Sequence, residues 1–170
     1  MSRIHGFPPV ARPDAKILIL GSMPSRESLA RQQYYAHPRN AFWPILCSLF
    51  SITATQYSER SQQVAERGVA IWDVLRDCVR PGSLDSDIDE KTAVTNDFQT
   101  FIDEHPQLSA IFFNGAKAES IFIKRVLPGL DDHAVEIARH RLPSTSPAHA
   151  SMNFEQKKAA WRSILEQVLE

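Results

Sequence analysis

A short segment in the first quarter of the chain carries the side chains best suited to chemistry. Residues 34–43 read Tyr-Tyr-Ala-His-Pro-Arg-Asn-Ala-Phe-Trp, so aromatic rings, an imidazole and an amide lie close together. Aromatic rings offer stacking surfaces, and His37 and Asn40 offer hydrogen-bond donors and acceptors. A pocket for a planar heterocycle needs both kinds of group. The segment therefore predicts such a pocket.

The segment before it has the composition of a strand that opens into an active-site loop. Residues 17–20 are consecutive aliphatic side chains, a pattern typical of a strand covered on both faces. Gly21 ends that strand, and Pro24 followed by Ser25 predicts a helix start whose free N–H groups can hold an anion. We therefore expect the loop after this strand to contribute to the pocket.

Short apolar strands alternate with helices along the rest of the chain. Further strands are predicted at residues 68–73, 110–115 and 135–140. Helices are predicted at residues 24–31, 44–50, 58–67, 97–105, 117–126 and 154–169, the last with Phe154, Trp161, Ile164, Leu165 and Val168 facing inward. Residues 6–10, 76–89 and 142–150 are expected to be irregular. Strands separated by helices indicate right-handed crossovers and a mostly parallel sheet.

Further polar candidates follow the predicted strands. Parallel strands bring their carboxyl ends, where ligands bind, to one edge of the sheet. Asp73 ends the second strand, Asn114 ends the third, and residues 142–150 follow the fourth. Asp73 can donate to a leaving group, although its position before Val74 favours a helix-capping role. Asn114 offers a donor and an acceptor to a ligand, or is a turn residue before Gly115.

Three motifs of this chain occur together in one enzyme family. They are Gly-Ser-Met-Pro-Ser at residues 21–25, Tyr-Ala-His-Pro-Arg-Asn-Ala-Phe-Trp at residues 35–43, and Leu-Pro-Ser-Thr-Ser-Pro at residues 142–147. They resemble the uracil-DNA glycosylase superfamily, and most of all its hypoxanthine-DNA (deoxyinosine) glycosylase branch. The resemblance implies a three-layer α/β/α sandwich around a four-stranded, mostly parallel sheet. It also implies a monofunctional enzyme of base excision repair that flips out a deaminated base, hypoxanthine or uracil, and hydrolyses its N-glycosidic bond.

The resemblance assigns roles to individual residues. Asn40 takes the catalytic position of that branch, where an amide acts by positioning a water and the base or sugar. Without the resemblance, Asn40 is better explained as a cap for the helix that starts near Phe42. Tyr35 aligns with the residue on which the flipped base stacks, and Asn114 resembles base-reading Asn residues elsewhere in the superfamily. Ser22 stands where many relatives place a catalytic Asp or Asn.

The remaining candidates serve base binding or DNA contact. His37 can donate to a purine leaving group, or is a structural residue before a proline. Residues 142–150 resemble the motif that grips phosphates and fills the gap left by the extruded nucleotide, although Ala148 and His149 form no bulky apolar wedge. The base-binding candidates are Tyr35, Asn114, Ser22 and His37, and the DNA-binding candidates are Ser25, Arg39, Ser144, Ser146 and His149.

Composition limits these interpretations. The chain of 170 residues, 43% apolar and 23% charged, is most simply one domain over residues 1–170. A net charge of −1 argues weakly against nucleic-acid binding, although a local basic patch can suffice for phosphate contacts. Cys47 and Cys78 are far apart in sequence and suggest neither a zinc site nor a disulfide. Two cysteines also cannot supply the four ligands of the iron–sulfur cluster that some branches of the superfamily carry, and we expect no cofactor.

The partner and the location follow from the same observations. No membrane span or signal peptide is predicted, so we expect a cytoplasmic protein. The resemblance implies that its partner is DNA containing deaminated bases, and we expect a monomer. The alternative is a non-catalytic nucleotide- or nucleic-acid-binding domain that uses the same pocket. That alternative stands because Ser22 leaves the first motif without a carboxylate or amide, and because the charge is nearly neutral.

Overall fold

The structure is a computed structural model that describes residues 2–169. Strands and helices alternate along most of its length. The strands are β1 (Arg3–His5), β2 (Ile17–Gly21), β3 (Val69–Asp73), β4 (Leu75–Val79), β5 (Asp89–Thr95), β6 (Ala110–Asn114) and β7 (Ala138–Leu142). The α-helices are α1 (Arg26–Arg31), α2 (Phe42–Phe50), α3 (Tyr57–Glu66), α4 (Phe98–Glu104), α5 (Ala116–Ile121), α6 (Asp132–Val135), α7 (Phe154–Trp161) and α8 (Ile164–Val168). Short helical turns lie at Asp85–Asp87, Phe122–Val126 and Leu127–Gly129.

The main sheet is parallel and has the strand order β3-β2-β6-β7. The central strands β2 and β6 are buried along their whole length, as the aliphatic run in β2 predicted. On one face Leu18 and Leu20 pack in a core with side chains of α4 and α5. On the other face Ile17 and Ile19 pack with side chains of α2, α3, α7 and α8. The predicted three-layer α/β/α sandwich around a four-stranded parallel sheet is confirmed.

A second, antiparallel sheet lies beside the first, and residues 76–89, which were predicted to be irregular, contribute to it. Strand β4 pairs with β1 on one side and with β5 on the other. The sequence prediction was wrong because Arg76 and Asp77 interrupt the apolar pattern of β4. Asp77 is nevertheless buried, since Arg3 and Arg76 donate to its carboxylate at 2.6 and 2.9 Å. A paired charge therefore occupies a position that looks like surface in the sequence.

The fourth strand of the main sheet begins later than predicted. It was expected at residues 135–140, whereas β7 is Ala138–Leu142 and the preceding residues form α6. Asp131 explains the difference, because its Oδ1 accepts the backbone N–H of Ala134 at 2.8 Å and so caps a short helix.

The closing helix, predicted as continuous over residues 154–169, is divided into α7 and α8 at Arg162 and Ser163. Trp161, Ile164 and Val168 are buried as predicted. Phe154 is not, because it is the first residue after the Asn153 cap and remains 40% exposed.

The N-terminal arm crosses the outer edge of the main sheet. Residues 6–10 contain no strand or helix, as predicted, but Val10 makes an antiparallel bridge to Ile71 of β3. The two residues exchange hydrogen bonds of 2.9 and 2.8 Å. The carbonyl of Phe7 also accepts the indole N–H of Trp72 at 3.0 Å. The arm is therefore fixed to the body of the domain.

Candidate active site

A cleft of about 400 Å³ opens at the carboxyl ends of β2, β3 and β6, a size typical of small-ligand sites. Most of the predicted site residues lie in its lining: Ser22, Ser25, Tyr35, Asn40, Asn114, Ser144, Ser146 and His149. Asp73 and Asp85 also line it. Loops that are distant in sequence therefore meet at one edge of the sheet, as the parallel topology predicted.

His37 and Arg39 lie outside this cleft. His37 lines a neighbouring groove, which shares Tyr35 and Asn40 with the cleft and also contains Arg60. Its Nδ1 accepts the backbone N–H of Arg39 at 3.1 Å, and Arg39 itself is exposed. This bond favours the structural interpretation of His37. Base binding by His37 stays a prediction that requires the segment to move.

Tyr35 is held as a rigid wall of the cleft. Its φ of 55° lies in the left-handed region, which is uncommon for residues other than glycine. Its ring stacks on Phe42 with centroids 3.9 Å apart, so at most one ring face is open to a base. Burial, and then the charge of Asp73, raises the pKa of Tyr35, while the nearby Asn114 amide lowers it. The phenol is therefore neutral, and its buried oxygen has no hydrogen-bond partner within residues 2–169.

Asn40 lies two residues before Phe42, the first residue of α2, with its side chain at the cleft. Its Oδ1 accepts the backbone N–H of Phe42 at 2.9 Å and so binds a free donor of the first helical turn, as the capping interpretation predicted, although the N-cap position itself is taken by Ala41. Its NH₂ group donates to no residue in the described part of the chain. The two ends of an amide can serve different partners, so capping and catalysis are compatible. The catalytic role of Asn40 stays a prediction.

Asn114 connects β6 to the loop of residues 142–150. Its Nδ2 donates to Oγ1 of Thr145, and its Oδ1 accepts the Thr145 backbone N–H, both at 2.9 Å. Both side chains are buried. The two bonds occupy the amide edge that would pair with a base carbonyl and a ring N–H. Base reading by Asn114 therefore stays a prediction that requires Thr145 to turn aside.

The same loop presents two hydroxyl groups to the cleft. Ser144 Oγ accepts the N–H of Ser146 at 3.1 Å, and Ser146 Oγ accepts the N–H of Ala148 at 3.2 Å. Each hydroxyl proton remains available to a phosphate oxygen, because these bonds use only oxygen lone pairs. Lys157, a residue that the sequence reasoning missed, anchors the loop by donating from Nζ to the carbonyl of Ser146 at 3.2 Å.

Asp73 was predicted to cap a helix, and this prediction is wrong. No helix follows it, because the backbone N–H groups of Val74 and Leu75 donate to the carbonyls of Gly21 and Ser22. Its side chain is 4% exposed, and its Oδ2 has no partner within residues 2–169. A Cβ on Gly21 would lie only 2.6 Å from Oδ1 of Asp73, which explains the glycine.

The environment of Asp73 changes its protonation. Burial is the larger cause and the negative charge of Asp85 the next, and together they raise the pKa of Asp73 to about 7, although the charge of Arg80 acts in the opposite direction. The cleft therefore contains a carboxyl group that titrates near neutral pH. The sequence gives no sign of this, because burial depends on the packing of other elements around the strand end.

This raised pKa predicts a pH-dependent stability. The pKa of Asp73 is about 7 in the folded chain against an ordinary 3.8, so folding binds a proton between these values. The contribution of Asp73 to the free energy of unfolding therefore falls as the pH rises from about 4 to about 7, and it is constant above pH 7. We expect Asp73→Asn to raise the melting temperature at pH 8 by roughly 5 °C and to change it little at pH 4.5.

Asp77 provides the matched control for the Asp73 experiment. Hydrogen bonds from Arg76 and Arg3 lower the pKa of Asp77. The contribution of Asp77 to the free energy of unfolding is therefore present at neutral pH and is lost as the pH falls. Asp77→Asn should therefore lower the melting temperature at pH 8. If Asp73→Asn lowers the melting temperature at pH 8, as Asp77→Asn is expected to do, the raised pKa of Asp73 is refuted.

Asp85 is the site residue that sequence reasoning missed most clearly. It lies in the β4–β5 loop, which was not expected to reach the cleft, and its Oδ1 accepts the hydroxyl proton of Ser22. Although Asp73 and Asp85 are neighbours, residues 2–169 contain no group of three or more His, Cys, Asp or Glu side chains that could hold a metal ion.

Known proteins share both the sequence and the fold. A sequence model of the uracil DNA glycosylase superfamily matches residues 8–169. The chain is 37% identical over 162 residues to a hypoxanthine DNA glycosylase from Methanosarcina acetivorans, covering 94% of this chain and 96% of that one. It is 36% identical over 116 residues to a hypoxanthine DNA glycosylase from Methanosarcina barkeri, covering 67% and 72%.

A solved structure extends this similarity to three dimensions. The solution NMR structure of a candidate uracil DNA glycosylase from Methanosarcina acetivorans superposes with a TM-score of 0.80. The two chains are 30% identical, and the match covers 99% of this chain and 100% of that one. The chain therefore belongs to the uracil DNA glycosylase superfamily.

Proposed function

We propose that this protein is a monofunctional DNA glycosylase that removes hypoxanthine from DNA by hydrolysing the N-glycosidic bond of deoxyinosine. The observation that carries the proposal is the similarity, along 94% of the chain, to a protein named for this activity. The geometry supports it, because the cleft combines a stacking ring with an amide at the predicted catalytic position. Uracil is the second substrate, since both bases present a carbonyl beside a ring N–H.

Different residues of the cleft have different roles in base release. Tyr35 stacks on the flipped base, and the NH₂ group of Asn40 holds the attacking water or the sugar. Ser144 and Ser146 donate their hydroxyl protons to phosphate oxygens beside the flipped nucleotide. Removal of the base thus depends on positioning and electrostatics.

The partner of the protein is DNA that contains a deaminated base. Within the described residues, no helix is long and apolar enough to cross a membrane. We also propose that the protein acts as a monomer, because the cleft is built from elements of a single chain.

A single assay tests the proposed function. Purified protein is incubated with an oligonucleotide that contains one deoxyinosine, and abasic sites are then cleaved with alkali. We expect strand cleavage at that position only, weaker cleavage with deoxyuridine, and none with deoxyadenosine. If the protein binds the deoxyinosine oligonucleotide but releases no base, it is the non-catalytic nucleic-acid-binding domain that the sequence also allowed.

The stacking role of Tyr35 predicts a loss of affinity without a change in base preference. Stacking on an aromatic ring contributes about 1–3 kcal/mol per base and depends little on base identity. We therefore expect Tyr35→Ala to weaken binding of oligonucleotides with uncleavable 2′-fluoro analogues of deoxyinosine and deoxyuridine by about tenfold or more, and to a similar extent. Fluorescence anisotropy measures both affinities.

Tyr35→Phe is the matched control for Tyr35→Ala. It keeps the ring that stacks on Phe42 and removes a hydroxyl that has no partner in the described residues. The Phe variant loses at most one hydrogen bond, to the bound nucleotide or to water, so it should bind both oligonucleotides more tightly than the Ala variant does and nearly as tightly as the wild type. Equal losses in the Ala and Phe variants would show that the hydroxyl, and not the ring, is the important group.

A further inference from the structure

The loop between β4 and β5 places a carboxylate where the first motif lacks one. Ser22 directly follows β2 and is buried, and its hydroxyl group carries no charge into the cleft. Its hydroxyl donates to Oδ1 of Asp85, and both residues line the cleft. The Asp85 carboxylate thus lies beside Ser22 of the first motif, although it comes from a different part of the chain.

This loop is held in place by contacts on both sides of Asp85. The Arg80 guanidinium is buried and donates from Nε to the carbonyl of Gly82 at 3.0 Å. The backbone N–H of Leu84 donates to Oδ2 of Asp87 at 3.1 Å. The backbone N–H of Arg26 in α1 also donates to Oγ of Ser83 at 3.2 Å. The position of Asp85 is therefore defined by hydrogen bonds on both sides of it, as a group that acts on a substrate must be.

The floor of the same cleft contains buried polar atoms that a ligand can bind. The Tyr35 hydroxyl oxygen and Asp73 Oδ2 are buried and have no partner within residues 2–169. Unpartnered buried polar atoms are costly, so their presence in a cleft indicates that a bound molecule or water completes them. A nucleotide that binds there would have its polar edges beside these atoms and would lie close to Asp85.

We propose that Asp85 is a further catalytic residue, whose carboxylate stabilises the positive charge that develops on the deoxyribose during base release, and that Ser22 is the positioning residue that holds it. This inference rests on the proposed function. Asp85 thereby takes over the electrostatic task that Ser22, as a neutral residue, cannot perform.

The chemical step balances without any further reactant. The C1′–N bond breaks with its electron pair leaving on the base, and positive charge spreads over C1′ and the ring oxygen of the sugar. A water oxygen then bonds to C1′ and passes its proton to the Asp85 carboxylate, which returns the proton to solvent. The departed base takes a proton from solvent. The carboxylate opposes the transient positive charge in a partly enclosed cleft, where electrostatic effects exceed those in water.

Charged and neutral abasic-site analogues provide the test. A pyrrolidine analogue carries a positive charge at the position of the sugar, and a tetrahydrofuran analogue of the same shape carries none. We expect Asp85→Asn to bind the pyrrolidine oligonucleotide at least tenfold more weakly than the wild type, with the tetrahydrofuran oligonucleotide unchanged. Its single-turnover rate on deoxyinosine should fall about 50-fold, below the effect of removing a fully enclosed donor because Asp85 is exposed to solvent at the edge of the cleft.

Two further variants separate this role from a merely structural one. Asp89→Asn removes a nearby carboxylate at the start of β5 that does not line the cleft, and it should change neither binding nor rate. The double variant with Ser22→Asp and Asp85→Asn places a carboxylate in the first motif instead. It should recover part of the rate and of the pyrrolidine affinity that Asp85→Asn alone loses. Asp85→Asn should also keep the wild-type melting temperature within a few degrees.

The outcomes distinguish this inference from the proposed function. If the wild type releases no hypoxanthine, the proposed function fails, and the inference fails with it. If the wild type is active but Asp85→Asn keeps its rate within threefold, or loses affinity for both analogues equally, the inference alone is overturned.

Discussion

Replacement of Asn40 by alanine is expected to lower the single-turnover rate of hypoxanthine release by about 1,000-fold. This factor corresponds to about 4 kcal/mol of transition-state stabilisation. Positioning of a nucleophile and electrostatic stabilisation contribute effects of this size when the group lies in an enclosed site. Asn40 has the required freedom, because its NH₂ group donates to no described residue while its Oδ1 is fixed by the N–H of Phe42.

The helix cap made by Asn40 requires a control. Loss of the bond to Phe42 costs about 1 kcal/mol of stability, which lowers activity only if the protein begins to unfold. Asn40→Ser keeps an oxygen that can accept the same N–H and removes the amide donor. We expect the Ser variant to have a melting temperature near that of the wild type and the low rate of the Ala variant. A Ser variant with wild-type turnover would reduce Asn40 to a cap.

Replacement of Asn114 by alanine is expected to lower the rate by about 100-fold on both deoxyinosine and deoxyuridine. The change removes both hydrogen bonds to Thr145 and leaves its buried polar groups unpaired, at a cost of about 1–3 kcal/mol each. The loop that carries Ser144 and Ser146 then loses its fixed position. The variant also lacks the amide that is predicted to read the base.

Asn114→Asp separates these two roles. An aspartate still accepts the Thr145 N–H and can accept the Thr145 hydroxyl proton, so the loop stays anchored. It cannot donate to the carbonyl that hypoxanthine and uracil share when it is ionised. We therefore expect Asn114→Asp to be slow on both substrates in single-turnover assays. Rates within threefold of the wild type, less than 1 kcal/mol, would leave Asn114 as an anchor alone.

The features that the sequence predicted correctly depend on neighbouring residues. The aliphatic run of β2 specifies a buried strand without reference to the rest of the chain. The closely spaced Tyr35 and Asn40 likewise form one wall of the cleft through local backbone geometry, including the left-handed conformation at Tyr35. Alternation of strands and helices was then enough to place Asn114 and the loop of residues 142–150 at the same edge.

The features that the sequence did not reveal depend on pairs that are distant in the chain. The buried Asp77 of β4 is tolerated only because Arg3 reaches it from β1, so the strand looked too polar. Asp73 resembled a helix cap because the carbonyls that bind the following N–H groups belong to β2 and the loop after it. Asp85 and Ser22 meet across 63 positions of sequence, and no periodicity encodes such a contact.

The edges of the main sheet have a consequence for aggregation. An unpaired edge strand is a template on which another chain can add a strand. The bridge between Val10 and Ile71 blocks that template on β3. Removal of residues 1–10 would therefore expose the edge of β3 and promote insoluble assemblies. Within residues 2–169 the other edge strand, β7, has no such cover but carries Arg139 and Arg141. Charged side chains on an edge oppose the addition of a further strand, although Arg141 also pairs with Glu119.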